Sequence, residues 1–189
     1  PVNFHIGASA TALNFFGVNG WPSHSEEAKF AIGDSLMFMG NGRVLANLLL
    51  SGVLERHPRL KVVSVESGLG WIPFLLEALD YEVSETAPSV FDHLSMKPSD
   101  YFRRQIYGTF WFERRNLAQS IEQLGEDNVM FETDFPHPVC IYPNTAEDKL
   151  AGVAPAVQEK VLSLNAARVY NIDLPKQTLA KPQDLEVAG

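Results

Sequence analysis

The chain has 189 residues, of which 46% are hydrophobic and 20% are charged, a composition that supports a buried core and excludes a disordered protein. Fifteen basic and 23 acidic side chains give a net charge of −8, which argues against a nucleic-acid partner because phosphate binding needs a concentrated basic surface. The single cysteine, Cys140, cannot form an internal disulfide, and no zinc-finger spacing occurs. We therefore predict one globular unit in a reducing, cytoplasmic setting.

No membrane or targeting segment is evident. The longest apolar run, around Leu48 to Leu50, ends at Ser51 and Gly52 and falls far short of the roughly 20 residues that span a bilayer. The chain starts at Pro1 and passes directly into a strand-like run. We interpret this start as lying inside a domain.

Short β-rich runs alternate with longer helical stretches, which is typical of βα units around a parallel sheet. Strands are predicted over residues 2–7, 60–66, 106–112 and 129–132, and the first two read as buried. Helices are predicted over residues 26–54 with an interruption at 40–42, over 71–81, from Ser99 as the capping residue, and over 114–124, 155–164 and 165–170. Gly125 is placed to end the 114–124 helix.

Four βα units make half of an eight-stranded (β/α)8 TIM barrel, which typically needs about 250 residues. We expect residues 1–172 to supply the last four units of such a barrel. Residues 173–189 lack periodicity and are predicted to form an irregular tail, either a surface arm or a subunit contact.

Three polar residues lie at or after the predicted strands, where active sites of parallel βα folds collect. His5 is late in the first strand, Glu66 ends the second, and Asp134 follows the fourth. Imidazole and carboxylate are ligand types that a hydrolytic Zn²⁺ prefers, and a carboxylate can also take up the proton of a bound water. Structural roles remain open at this point: His5 as a core histidine, Glu66 as a helix cap and Asp134 as a turn residue.

Four runs together resemble a known family. The run at 133–138 (TDFPHP) resembles the eighth-strand signature of the amidohydrolase-related family, within the amidohydrolase superfamily, that includes aminocarboxymuconate-semialdehyde decarboxylase and the resorcylate-type decarboxylases. The runs at 55–63 (ERHPRLKVV), 66–73 (ESGLGWIP) and 165–170 (NAARVY) resemble the approach to strand six, the turn after it and the terminal helix.

The resemblance implies a divalent metal, with zinc as the expected ion. It makes Asp134 a metal ligand and proton-transfer base, and His5 the fifth-strand histidine ligand. Glu66 stands where many relatives have a second histidine, so it is either a ligand or has moved to substrate binding or structure. The family's first-strand metal-binding pair has no counterpart and would lie upstream of Pro1.

Further candidates lie near these positions. His137 shares the loop of Asp134. Trp111 lies at the end of the predicted third strand and Arg114 follows it, where an arginine could bind a carboxylate substrate through two hydrogen bonds. The structural alternatives are that His137 fixes its loop and that Trp111 and Arg114 belong to an ordinary helix start. The aromatic residues Phe15, Phe16 and Trp21 could line an apolar pocket or simply pack the loop.

Two classes of function follow. The first is a metal-dependent hydrolase or non-oxidative decarboxylase (a lyase) acting on a small carboxylated or cyclic molecule. The second is a non-catalytic half-barrel that acts in binding or assembly, or one part of an enzyme completed by an N-terminal half-barrel. Pairing of two copies through open sheet edges would give a homo-oligomer.

Overall fold

The computed structural model describes residues 1–7, 22–86, 88–143 and 146–175. Within them, four parallel strands form one sheet in the order β1-β2-β3-β4. The strands are β1 (Val2–His5), β2 (Val62–Val65), β3 (Ile106–Phe110) and β4 (Val129–Phe131). Each lies inside a predicted strand, and chain order equals spatial order, as in consecutive units of a barrel.

Helices connect the strands. They are α1 (Glu26–Met37), α2 (Asn41–Leu50), α3 (Val53–Arg56), α4 (Ile72–Glu85), α5 (Pro98–Gln105), α6 (Leu117–Leu124), α7 (Pro155–Glu159) and α8 (Asn165–Tyr170). Short 3-10 turns occupy Phe38–Gly40, Pro88–Phe91 and Glu147–Leu150, and a π-helical turn, Lys160–Leu164, joins α7 to α8. The interruption predicted over 40–42 is found slightly earlier, as the 3-10 turn Phe38–Gly40, because Asn41 already begins α2.

Two local predictions were wrong. The first strand is largely exposed rather than buried, because β1 is an edge strand that pairs only with β2 in the described part of the chain. Ser99 does not cap α5, since the capping position belongs to Lys97. The amide and hydroxyl of Ser99 instead donate to Asp80 at 2.9 and 2.6 Å.

The two faces of the sheet are covered differently. One face packs against the helices in a large apolar cluster that includes Val62, Ile106, Phe110 and Val129. Successive side chains along each strand point to opposite faces of the sheet. On the second face, Val63, Tyr107 and Met130 pack against Val169 of α8. No helix in the described part of the chain combines the length and apolarity needed to cross a bilayer.

A buried asparagine ties together the ends of the first two strands. Asn41, at the start of α2, is only 3% exposed. Its Nδ2 lies 3.1 Å from the Ser64 hydroxyl and 3.3 Å from the carbonyl oxygens of both Phe4 and Val65. Because His5 ends β1 and Glu66 follows β2, this amide fixes the spacing of two candidate site residues.

We expect Asn41→Ala to lower the free energy of unfolding by about 1–3 kcal/mol, because the buried oxygens lose their donor. Urea titration followed by circular dichroism measures this change. Asn47→Ala is the matched control, since the exposed Asn47 amide donates only to Arg43 O at 2.8 Å in the same helix. An equal, small loss in both variants would contradict a special role for Asn41.

Candidate metal centre

Glu66 directly follows β2 and adopts a left-handed backbone with φ of 57°. A non-glycine residue pays roughly 1–2 kcal/mol for this conformation, so the surrounding structure must hold it. Its amide donates to Glu132 Oε1 at 2.9 Å and to Thr109 Oγ1 at 3.2 Å. The residue as a whole is buried, with 8% of its surface exposed.

Asp134 follows β4 and is also left-handed, with φ of 60°. Its loop closes on itself, because the His137 amide donates to Asp134 O at 2.8 Å and the Ile141 amide donates to Thr133 O at 3.0 Å. These bonds place the carboxylate of Asp134 and the imidazole of His137 on the same side of the loop, with His137 Nδ1 3.1 Å from Asp134 Oδ2.

Glu66, Asp134 and His137 converge at the carboxyl edge of the sheet. Each offers one possible ligand atom, and these atoms all lie within 4.8 Å of one another. Asp134 Oδ2 is buried and accepts no hydrogen bond from the described residues, since the His137 contact lacks hydrogen-bond geometry. A buried carboxylate oxygen without a donor is costly, and a cation would supply the missing partner.

His5 lies beside this group and contacts it through Glu66. Its Nε2 contacts Glu66 Oε2, and its Nδ1 contacts the Ile6 carbonyl. A carbonyl can only accept, so Nδ1 carries a proton and Nε2 is the atom directed at the carboxylate. The side chain of His5 is 63% exposed.

The site concentrates acidic groups whose pKa values are perturbed. Burial raises the pKa of Glu66, and nearby Asp134 adds to the rise, whereas His5 and His137 oppose it. Burial raises the pKa of Glu132 from its ordinary 4.5 to about 7, against the hydrogen bonds from Thr109 and the Glu66 amide. Such clusters of shifted carboxyl groups are typical of functional sites.

The sequence-predicted residues are distributed as follows. His5, Glu66 and Asp134 lie at the same edge of the sheet. His5 contacts Glu66, whereas among the described residues His137 forms the converging group with Glu66 and Asp134. Trp111 is buried, with its ring 5.8 Å from Phe38 in an edge-on contact. Arg114 is exposed on the loop after β3. The positions of Phe15, Phe16 and Trp21 fall outside the described residues.

Sequence reasoning missed Glu132 and Thr109. Thr109 Oγ1 lies 2.6 Å from Glu132 Oε1, so the pair forms a small polar network beneath Glu66. The sequence did contain a signal for Glu132. It is a charged residue inside the predicted fourth strand, two residues from Met130 and therefore on the same face of the sheet. No local signal distinguished Thr109 from an ordinary strand threonine.

The family model described as amidohydrolase matches residues 1–172. The chain belongs to the amidohydrolase family. Among curated proteins, the gamma-resorcylate decarboxylase of Rhizobium sp. (strain MTP-10005) is 25% identical over 130 residues, which are 67% of this chain and 38% of the relative. The chain thus spans well under half the length of that relative.

Solved structures show the same fold. 5-Carboxyvanillate decarboxylase LigW from Sphingomonas paucimobilis is 30% identical with a TM-score of 0.60, over 90% of this chain and 49% of that one. A dihydroxybenzoic acid decarboxylase from Polaromonas sp. JS666, with bound manganese and the inhibitor 2-nitroresorcinol, is 20% identical with a TM-score of 0.57, over 85% of this chain and 50% of that one. The expected fold class is confirmed: the four βα units correspond to part of an amidohydrolase TIM barrel.

The raised pKa of Glu132 predicts how stability changes with pH in the metal-free protein. Between pH 4.5 and about 7, Glu132 is protonated in the folded chain and ionised in the unfolded chain. The contribution of Glu132 to the free energy of unfolding is therefore fully present below pH 4.5 and is lost as pH rises through about 7. Glu132→Gln cannot ionise. We subtract the free energy of unfolding of the unmodified chain from that of the variant at each pH. We expect this difference to be larger at about pH 8 than at about pH 5, by an amount on the order of 2 kcal/mol.

Urea titrations in EDTA at the two pH values measure this difference, and Glu122→Gln, at an exposed position of α6, is the control. If the Glu132 and Glu122 variants keep the same pH dependence as the unmodified chain, Glu132 does not titrate in this range.

Proposed function

We propose that this chain carries the metal-binding edge of a divalent-metal-dependent, non-oxidative decarboxylase acting on a small hydroxylated aromatic acid. Glu66 and Asp134 are the proposed carboxylate ligands, and His137 or His5 supplies the imidazole. The observation that carries this proposal is the buried Oδ2 of Asp134, which accepts no hydrogen bond from the described residues and lies 3.1 Å from His137 Nδ1.

The donor set suits a divalent cation. Two carboxylates with an imidazole form a hard to borderline site that accommodates either Mn²⁺ or Zn²⁺, since carboxylate suits manganese and imidazole suits zinc. Manganese in the related dihydroxybenzoic acid decarboxylase favours Mn²⁺. We therefore propose manganese, in place of the zinc expected from the sequence, as the ion to test first.

A bound cation would draw electron density from the oxygens of an aromatic acid and offset the charge of the two carboxylates. Oδ2 of Asp134 faces the ligand group, which leaves Oδ1 to hold a proton. In the proposed reaction, Asp134 gives this proton to the ring carbon that bears the carboxylate. The bond from that carbon to the carboxylate then breaks, CO₂ leaves, and the electron pair of the broken bond restores the aromatic ring. One proton from the solvent restores the acid form of Asp134, so each turnover consumes one proton.

The remaining candidates are assigned by position. His137, half-exposed beside Asp134, either binds the cation or contacts the substrate. Arg114, on the exposed loop after β3, is proposed to pair with the substrate's carboxylate. Trp111 packs within an aromatic cluster with Phe38 and Phe112, so we propose that it shapes the pocket wall.

The complete activity needs more than this sheet. The strands β1 and β4 each have one edge unpaired within the described residues, and unpaired edges favour association. We propose that further strands complete the barrel, from an N-terminal half-barrel or from a second copy in a homo-oligomer. The cytoplasmic location and the separate 173–189 tail also remain predictions.

Mn²⁺ binding and turnover test the proposal together. We expect saturable Mn²⁺ binding by calorimetry of this chain, and CO₂ release from 2,6-dihydroxybenzoate or 5-carboxyvanillate when the barrel is completed by an N-terminal half-barrel or a second copy. Asp134→Asn should weaken Mn²⁺ binding by about tenfold or more and abolish turnover, because it loses both a charged ligand and the proton carrier. Hydrolysis of a phenyl ester under the same conditions measures the competing hydrolase activity.

The matched control is Asp127→Asn, which alters an aspartate that precedes β4 at the opposite edge and pairs with Lys160. It should bind Mn²⁺ as the unmodified chain does. Absence of Mn²⁺ binding in the unmodified chain, or equal binding by both variants, would refute the metal-dependent mechanism and favour the non-catalytic half-barrel.

A further inference from the structure

We propose that two partly buried carboxylates, Glu132 and Glu113, clamp the turn at 66–69 from its two ends and thereby hold Glu66 in its ligand-presenting conformation. Neither residue was predicted to have a role. The inference rests on the proposed metal site for its functional consequence, but the clamp itself is a property of the metal-free chain.

Glu132 holds the first end of the turn. Its Oε1 accepts the Glu66 amide at 2.9 Å and lies 2.6 Å from the Thr109 hydroxyl. The Glu66 amide is shared with Thr109 Oγ1 at 3.2 Å. This amide belongs to the residue with positive φ, so the acceptor pair acts directly on the strained backbone.

Glu113 holds the other end. The Leu69 amide donates to Glu113 Oε1. The same oxygen lies so close to Gly68 that a Cβ at that position, which has a φ of 68°, would be 2.7 Å away. Glu113 comes from the loop after β3, so the contact joins two neighbouring loops at the carboxyl edge of the sheet.

The middle of the turn is fixed as well. The Ser67 and Ser64 hydroxyls lie 2.8 Å apart, and the Trp71 indole donates to Ser67 O at 2.8 Å. With both ends and the middle bonded, the turn has one preferred conformation. The carboxylate of Glu66 is therefore presented to Asp134 before any cation arrives.

Glu132 is proposed to position Glu66 and not to bind the cation itself. Its Oε1 is engaged with the Glu66 amide and the Thr109 hydroxyl, and among the described residues the converging ligand group comprises Glu66, Asp134 and His137. A glutamine retains the acceptor oxygen at Glu132, whereas an alanine does not. The two substitutions therefore separate a positioning role from a ligand role.

Amide hydrogen exchange in the metal-free protein, measured by NMR, tests the clamp. We expect Glu132→Ala to speed exchange of the Glu66 amide by about tenfold and Glu113→Ala to do the same at Leu69, since each removes one hydrogen bond. Glu132→Gln should stay within about threefold of the unmodified chain. The Val63 amide reports whether β2 remains folded in each variant.

The matched control is Glu55→Ala, which removes a carboxylate on α3 that accepts hydrogen bonds from Ser95 at 2.8 Å and from Tyr101. It should leave the Glu66 and Leu69 amides unchanged. Unaltered exchange in the Glu132 and Glu113 alanine variants would overturn the clamp. If Glu132→Ala does not fold, the Glu113 pair of Ala and Gln variants carries the test at Leu69.

Mn²⁺ calorimetry on the same variants tests the link to the site. Glu132→Ala should weaken binding by about tenfold, and Glu132→Gln should restore most of it. Equal losses in both variants would identify Glu132 as a ligand and contradict the positioning role. Failure of the unmodified chain to bind Mn²⁺ would refute the proposed function, whereas the exchange rates would still decide whether the clamp exists.

Discussion

The structure depends on holding two carboxylates, Glu66 and Asp134, close together at one edge of a parallel sheet. Their possible ligand atoms lie within 4.8 Å of each other, and at that distance or less two full negative charges would repel by at least about 3 kcal/mol at an effective dielectric constant of ~20. Each carboxylate has an imidazole beside it, His5 on Glu66 and His137 on Asp134. These pairs reduce the repulsion, and a cation between the carboxylates would reverse it.

Backbone conformation, rather than side-chain length, brings the two groups together. Glu66 and Asp134 follow strands that are separated by β3, and both adopt positive φ, which turns each side chain at the end of its strand. Such conformations persist only where neighbouring groups determine them. Glu66 is held by the side chains of Glu132 and Thr109. Asp134 is held by the backbone hydrogen bonds within its own loop.

Much of the fold could be predicted from the sequence, because apolar runs and glycine or proline boundaries locate the strands and helices locally. The exposure of β1 could not be predicted from the sequence, since the exposure of a strand depends on which other strands lie beside it. The role of Ser99 could not either, because its partner, Asp80, is 19 residues away. Within the site, strand position predicted His5, Glu66 and Asp134 at one edge, but only the folded loop shows His137 next to Asp134.

Anomalous diffraction at the manganese absorption edge, from crystals grown with Mn²⁺, tests the central claim most directly. The account predicts one anomalous peak within coordination distance of Asp134 Oδ2 and the Glu66 carboxylate. An imidazole nitrogen of His137 or His5 should complete the protein ligands. A peak elsewhere, or none at full Mn²⁺ with both carboxylates still close together, would contradict the claim that this edge of the sheet is a metal centre.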